Sequence, residues 1–205
     1  MHASAISSTN AAAQTGAVLG RNIEIKARLD SLARARERAR GLCDGPPEIQ
    51  HQVDTYFHCR SGRLKLRQLD QRAGQLVWYE RSDAQAARTS DYHLLPLVDA
   101  QAHCRALGAA LGVRARVEKR REIYLWKNVR IHLDRVAGLG DFLEFEAVLD
   151  GVDEAAGEEQ VRFLAEAFGI AAGDLIESSY GDMMSEINHA PRGGIDNAPQ
   201  GKEDD

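Results

Sequence analysis

Three sets of like-charged residues stand at alternate positions in this chain, and that spacing could bring their charges to bear on a single bound ion. Arg63, Lys65 and Arg67 form the first set, Lys119 and Arg121 the second, and Glu144 and Glu146 the third. Alternate residues of an extended strand share one face about 7 Å apart, so each set repels itself unless opposite charge is brought to it. Clustered guanidinium and ammonium groups suit phosphate oxygens, and converging carboxylates make a hard, oxygen-rich site suited to Mg²⁺ or Mn²⁺. A metal–polyphosphate complex would satisfy both kinds of group at once. Alternation ordinarily means one buried and one solvated sheet face, but such a face carries a mixture of polar side chains and is not sorted by sign from strand to strand.

The segments that must position these charges read as strands of period two: Asn22 to Arg28, Gln52 to Cys59, Arg63 to Gln68, Leu76 to Arg81, Thr89 to Leu95, Ala115 to Trp126, Asn128 to Val136 and Phe142 to Leu149. Ser61-Gly62 and Ala73-Gly74 supply turns between consecutive antiparallel strands. Helices are expected in the gaps. One is capped by Asp30 or Ser31 and buries Leu32, Ala35, Ala39 and Leu42, so that the arginines of ARARERAR form a solvated face; a second starts at Asp99; a third spans Glu158 to Phe168; a fourth starts at Gly173 or Asp174 and presents Leu175, Ile176, Tyr180 and Met183. The fold class is α+β, dominated by an antiparallel sheet. If the sorted charges face a common interior, then Ile23, Ile25, Leu64, Leu66, Ile131, Leu133 and Phe145 must face outward beneath the helices, which makes the sheet a β-barrel, polar within.

Of the 205 residues, 43 % are hydrophobic and 28 % charged, which places the chain in the soluble globular range with material for one core. The net charge of −5 argues against a general nucleic-acid binder, so any anion site must be local. No run approaches the roughly 20 apolar residues that cross a bilayer. Residues 1–20 and 187–205 are expected as disordered tails around a single domain at 21–186, with a cytoplasmic location. Cys43, Cys59 and Cys104 have neither the number nor the spacing of a disulfide framework or a metal knuckle. Phosphate-loop, HExxH and strand-linked GxGxxG motifs are absent from the sequence.

Taken together and in order, NIEIKAR, DTYFHCRSGRLKLR, VWYERSD, EKRREIYL, RIHLDRVAGLGDFLEFEAVL and DLIESSYGDMM resemble the CYTH, or triphosphate tunnel metalloenzyme, superfamily, with most likeness to bacterial class IV adenylyl cyclases and less to thiamine triphosphatases and inorganic tripolyphosphatases. The resemblance implies a closed antiparallel tunnel with helices outside and Mg²⁺ or Mn²⁺ as cofactor. It implies metal ligation by Glu24, Asp134, Glu144 and Glu146. Triphosphate contacts would come from Lys26, Arg63, Lys65, Arg67 and Arg130, and catalytic roles would fall to Lys119, Arg121 and Arg81. The family's opening Glu-x-Glu-x-Lys strand has Asn22, Glu24 and Lys26 here, so the first carboxylate is an amide. His132 lies on the same strand face as Arg130 and Asp134 and is expected as a hydrogen-bonding wall residue; Tyr56 adjoins a family position sometimes assigned a catalytic tyrosine. The expected partner is a small-molecule triphosphate, ATP or another, with a homodimer allowed. Conversion of ATP to cyclic AMP and pyrophosphate ranks first. Hydrolysis of thiamine triphosphate or tripolyphosphate ranks second, and non-catalytic nucleotide or polyphosphate binding third.

Overall fold

A computed structural model describes residues 17–69, 72–81 and 87–189, with Arg81 described in its backbone only. Eight strands follow in chain order: β1 (Val18–Arg28), β2 (Glu48–Phe57), β3 (Arg63–Gln68), β4 (Gly74–Arg81), β5 (Arg88–Leu97), β6 (Val113–Trp126), β7 (Val129–Val136) and β8 (Gly140–Val148). The helices are α1 (Leu32–Leu42), α2 (Ala100–Leu111), α3 (Glu154–Phe168) and α4 (Tyr180–His189). All strand pairs are antiparallel, and the sheet closes on itself in the order β1-β5-β4-β3-β2-β6-β7-β8. Closure leaves no edge strand to be covered.

The register decides which side is inside. Lys26 lies opposite Glu144 and Glu24 opposite Glu146, while on the other flank of β8 His132 faces Glu144 and Arg130 faces Glu146. Asp54 sits opposite Arg67, and Gln52 opposite Lys119. A one-residue slip would turn every one of these charges to the other face. The opposite face is apolar, as expected. Ile23, Ile25, Ile131, Leu133 and Phe145 form a buried cluster with Leu32, Ala35 and Ala39 of α1 and Val161, Leu164 and Phe168 of α3. Leu66, with Leu64 beside it, packs under Ala100, Cys104 and Leu107 of α2. Each large apolar side chain removed from water in this way contributes about 1.5–3 kcal/mol. Gly157 allows the approach of α3, since a Cβ there would lie 2.8 Å from Leu149 Cδ2 and 3.1 Å from Ile23 Cδ1. Ser31, Asp99 and Asp153 cap the first three helices by accepting from Arg34 N, Ala102 N and Ala156 N.

Four differences from the sequence reading have local causes. β1 begins at Val18, inside the expected 1–20 tail, because β5 supplies Leu94, His93 and Tyr92 as partners for Val18, Leu19 and Gly20. β2 begins at Glu48 because the long β6 offers it a partner as far as Ile123. α3 begins at Glu154, directly after its Asp153 cap. Finally, α4 begins at Tyr180, six residues or more beyond its expected start. Leu175 instead bridges Ala27, and Ile176 N donates to Lys26 O at 2.8 Å, so this stretch runs extended along β1. Ser179 then starts the helix through a reciprocal capping box: Asp182 N donates to Ser179 Oγ at 3.1 Å, and Ser179 N donates to an Asp182 carboxylate oxygen at 3.0 Å.

This late start also changes where α4 goes. α1, α2 and α3 lie outside the barrel, but α4 crosses one of its ends, where Tyr180 and Met183 pack on the inward-facing Tyr56, Ala115, Val117, Val136 and Phe142. Gly181 lies flat on Tyr56, whose ring carbons would be 2.7 Å from a Cβ at that position. Exposure along β7 falls accordingly: the Arg130 side chain is 39 % exposed, His132 6 % and Asp134 0 %. The barrel is open toward Arg130 and stoppered toward Asp134.

Candidate functional site: a charged tunnel closed at one end

The centre of the tunnel is organised round Asp54, which faces inward from β2 between Gln52 and Tyr56. Its buried carboxylate accepts from Arg67 Nε at 2.9 Å and Nη2 at 3.1 Å, from Lys119 Nζ at 2.8 Å and from Lys65 Nζ at 3.3 Å. Burial alone would raise its pKa, but Arg67, Lys119 and Lys65 outweigh burial and hold the carboxyl well below the ordinary carboxylate range. One anion cannot satisfy three cations. Burial pulls the Lys119 ammonium down, Asp54 only partly restores it, and Arg121, Arg67 and Lys65 depress it further, to a pKa of about 7. Lys65 is lowered in the same direction, again first by burial.

A second network adjoins the stopper. Arg121 grips Asp134 with two bonds, Nε to Oδ1 at 2.7 Å and Nη2 to Oδ2 at 2.6 Å, and Nη2 also reaches Glu144 at 2.7 Å. Tyr180 reaches in from α4 and donates its hydroxyl to Asp134 at 2.9 Å. Lys26 Nζ lies 3.9 Å from Glu144 and 4.0 Å above the Tyr180 ring. His132 Nδ1 is 3.3 Å from Glu144 and Nε2 is 3.8 Å from Glu146. Burial, then Arg121, lowers the His132 pKa, so the imidazole stays neutral at neutral pH despite its carboxylate neighbours.

Toward the open end stand Glu146, Asn22, Glu24 and Arg130. Asn22 Nδ2 donates to Glu146 Oε1 at 2.5 Å, and Arg130 donates to Glu146 Oε2 at 3.2 Å. Glu24 accepts from Arg88 Nε at 3.4 Å, and Arg88 donates also to Glu177 O at 3.1 Å in the segment leading to α4. Among the described residues, no group of three or more carboxylate, His or Cys side chains is arranged to hold a metal ion. The donor chemistry at this end nevertheless fits a hard divalent cation. Glu24 and Glu146 are cross-strand neighbours, and Asn22 Oδ1 is buried with no hydrogen-bond partner. Mg²⁺ is usually bound by one or two carboxylates and completes its shell with water and substrate phosphate. Asp134 fits that role less well, because it is fully buried and held by a bidentate Arg121 pair and the Tyr180 hydroxyl, whereas Glu146 is 15 % exposed toward the open end and accepts one bond on each oxygen.

The structure thus brings Lys26, Lys65, Arg67, Lys119, Arg121, Arg130, Glu24, Asp134, Glu144 and Glu146 into one tunnel. Arg63 stands apart at the stoppered end, where its Nε donates to Asp182 of α4 at 3.2 Å, beside Arg114, which holds the other Asp182 oxygen at 2.5 Å. Arg81 ends β4 opposite Ser90, and its side chain lies outside the described residues. Asp54, Arg88 and Tyr180 were not singled out by sequence. Asp54 carried a readable signal, since it shares its strand face with Gln52 and Tyr56 and is the one acidic residue of QVDTYFHC. Tyr180 carried none, because its helical period marked it as packing. No helix among the described residues is long and apolar enough to cross a membrane.

Solved structures share this architecture. PH1012 of Pyrococcus horikoshii OT3 is 23 % identical with a TM-score of 0.70, over 80 % of this chain and 99 % of that one. A Vibrio parahaemolyticus protein, titled as a candidate adenylate cyclase, is 20 % identical with a TM-score of 0.63, over 81 % and 98 %. The Hippeastrum protein HpAC1, titled as a candidate adenylyl cyclase with a dominant triphosphatase activity, is 15 % identical with a TM-score of 0.56, over 82 % and 96 %. At these identities the likeness speaks for the fold. No curated protein matches the chain in sequence. The family model of the CYTH domain matches residues 20–180, which takes in all eight strands but the first two residues of β1, together with every charged tunnel side chain described above; the chain belongs to the CYTH domain family.

Proposed function

We propose that this chain is a metal-dependent enzyme acting on a triphosphate, and that its reaction is the cyclisation of ATP to cyclic AMP and pyrophosphate. The observation that supports this reading is the sorting of charge with depth in a tunnel open at one end. A nucleoside triphosphate enters phosphates first, so its terminal phosphates meet Lys65, Arg67, Lys119, Arg121 and Lys26, and its α-phosphorus stops nearer Glu146, Asn22 and Arg130. Cyclisation is chemistry at that α-phosphorus: the ribose 3′ oxygen attacks it while its proton passes to solvent, the bond to the bridging oxygen breaks, and pyrophosphate leaves into the basic centre. Glu24, Glu146 and the amide oxygen of Asn22 would hold Mg²⁺ or Mn²⁺, with Glu144 and Asp134 behind them. The cation would neutralise phosphate charge and polarise the attacked phosphorus. Lys119 and Arg121 stabilise the charge that develops on the departing oxygens. Catalysis of this kind is mostly positioning and electrostatics.

Hydrolysis of thiamine triphosphate or tripolyphosphate is the second reading. It is favoured by the charged and amide character of the tunnel wall near the open end, where Glu48, Gln50 and Gln52 form a hydrogen-bonded ladder along β2. The deciding experiment incubates the full chain with ATP, thiamine triphosphate and tripolyphosphate, with Mg²⁺ or Mn²⁺, and measures cyclic AMP, pyrophosphate and orthophosphate separately. Cyclic AMP with equimolar pyrophosphate supports the cyclase, and orthophosphate as the only product assigns the triphosphatase. Lys119→Ala and Glu146→Ala should each lower turnover by orders of magnitude while the melting curve stays cooperative; full metal-dependent activity in either would overturn the roles given them.

A further inference from the structure

A second cluster of arginines lies outside the barrel, where the tunnel chemistry does not use it. A cavity of about 490 Å³ between α1 and the outer face of β6 and β7 is lined by Arg36, Arg40, Arg120 and Arg135, with Glu122 at its base. Arg120 and Arg135 are direct cross-strand partners, and His51 of β2 stands opposite Arg120 on its other side. Like charges placed directly opposite in a sheet repel. Arg36 and Arg40 are one helical turn apart, which is also an unfavourable spacing for like charges.

Two carboxylates answer these four guanidinium groups. Glu122, 4 % exposed in its side chain, is taken by Arg36 Nε and Nη2 at 2.7–3.0 Å and is also bonded by Arg120. Asp141, outside the cavity, pairs with Arg135 at 3.0 Å and 3.2 Å. Positive charge therefore remains in surplus at one concave spot of a chain whose net charge is −5. The forked donors of arginine match phosphate oxygens two at a time.

We infer that this cavity is a second anion site, built to take a small multivalent phosphate from solution independently of the tunnel. Glu122 and Arg36 form its fixed base, and Arg40, Arg120 and Arg135 provide the charge that meets the ligand.

The test is calorimetric titration of the full chain with inorganic tripolyphosphate, in EDTA and at low ionic strength, where exposed charges are least screened. Four proteins are compared: the natural chain, Lys119→Ala, the triple variant Arg40→Gln/Arg120→Gln/Arg135→Gln, and the two sets combined. The triple variant leaves the Arg36–Glu122 pair intact so that no buried carboxylate is orphaned. Lys119→Ala should retain a binding event that the combined variant weakens at least tenfold. The triple variant alone should keep its metal-dependent turnover. Should the triple variant fail to fold, Arg135→Gln, at a side chain 63 % exposed, replaces it, with an expected weakening of about threefold. Binding that Lys119→Ala abolishes completely, or that the arginine substitutions leave unchanged, would overturn the second site.

Discussion

A triphosphate that binds in the tunnel should arrive together with a proton. Lys119 Nζ is 1 % exposed and shares Asp54 with two other cations, and its pKa in the free protein is about 7. At about pH 8 an amine of that pKa is roughly one-tenth protonated. A triphosphate placed beside it supplies several negative charges, and returning the amine to its ordinary value of 10.5 leaves it almost fully protonated. Binding then takes up about 0.9 proton at about pH 8 and about 0.1 at about pH 6, so this group favours binding as pH falls through that range. In the free protein the sign runs the other way with respect to folding. The unfolded lysine holds more protons between about 7 and 10.5, so the Lys119 contribution makes the folded state more stable as pH rises across that window. The assay is titration with tripolyphosphate in EDTA, in two buffers of different ionisation enthalpy, for the natural chain and Lys119→Ala. The arginines of the outer cavity stay charged throughout and take up no proton. The ligand's own protonation is common to both proteins, so equal proton uptake by the natural chain and Lys119→Ala at about pH 8 would refute the reasoning.

Asp54→Asn keeps the shape but removes the charge that three buried cations share, and should cost about 3–5 kcal/mol in urea unfolding; a loss below about 1 kcal/mol would mean that the cations relax into water. Gly181→Ala pushes a methyl group into the Tyr56 ring and should destabilise the fold by about 1–3 kcal/mol, read as a lower melting temperature, whereas the same change at the open Gly173 should not. Asp54, Asp134 and Glu144 all have pKa values depressed in the fold, so their stabilisation is present above the ordinary carboxylate range and is lost as pH falls below it. Acid titration followed by circular dichroism should therefore show cooperative unfolding well below about pH 4, and Arg121→Gln should move that transition upward.

Strand faces were legible wherever a strand carries one sign of charge, as in RLKLRQ and FLEFEAVL, because period-two alternation and like-charge repulsion both point inward. Lone residues were harder to read. Asp54 is a single acid, and only the closing of the barrel brings Arg67 and Lys119 onto it from the strands on either side. Leu175 and Ile176 carry helical spacing relative to Tyr180 and Met183, yet the backbone hydrogen bonds offered by Ala27 and Lys26 hold them extended. ARARERAR looked like a solvated helix face. Arg36 of that run reaches a buried glutamate 86 positions away, a pairing that no local pattern encodes.

A tube with one door fixes the order in which products can leave. If the chain cyclises ATP as proposed, pyrophosphate would lie in the basic centre, on the far side of cyclic AMP from the door, and could not depart first. Cyclic AMP would go ahead of it, and the form of the protein that meets the next ATP would be the one from which pyrophosphate has escaped. Pyrophosphate should therefore compete with ATP for the same empty protein, whereas cyclic AMP should inhibit without competing. A polyphosphate chain longer than the tube, able to insert only an end, would have its tail left in solution and would be cut, if at all, near that end.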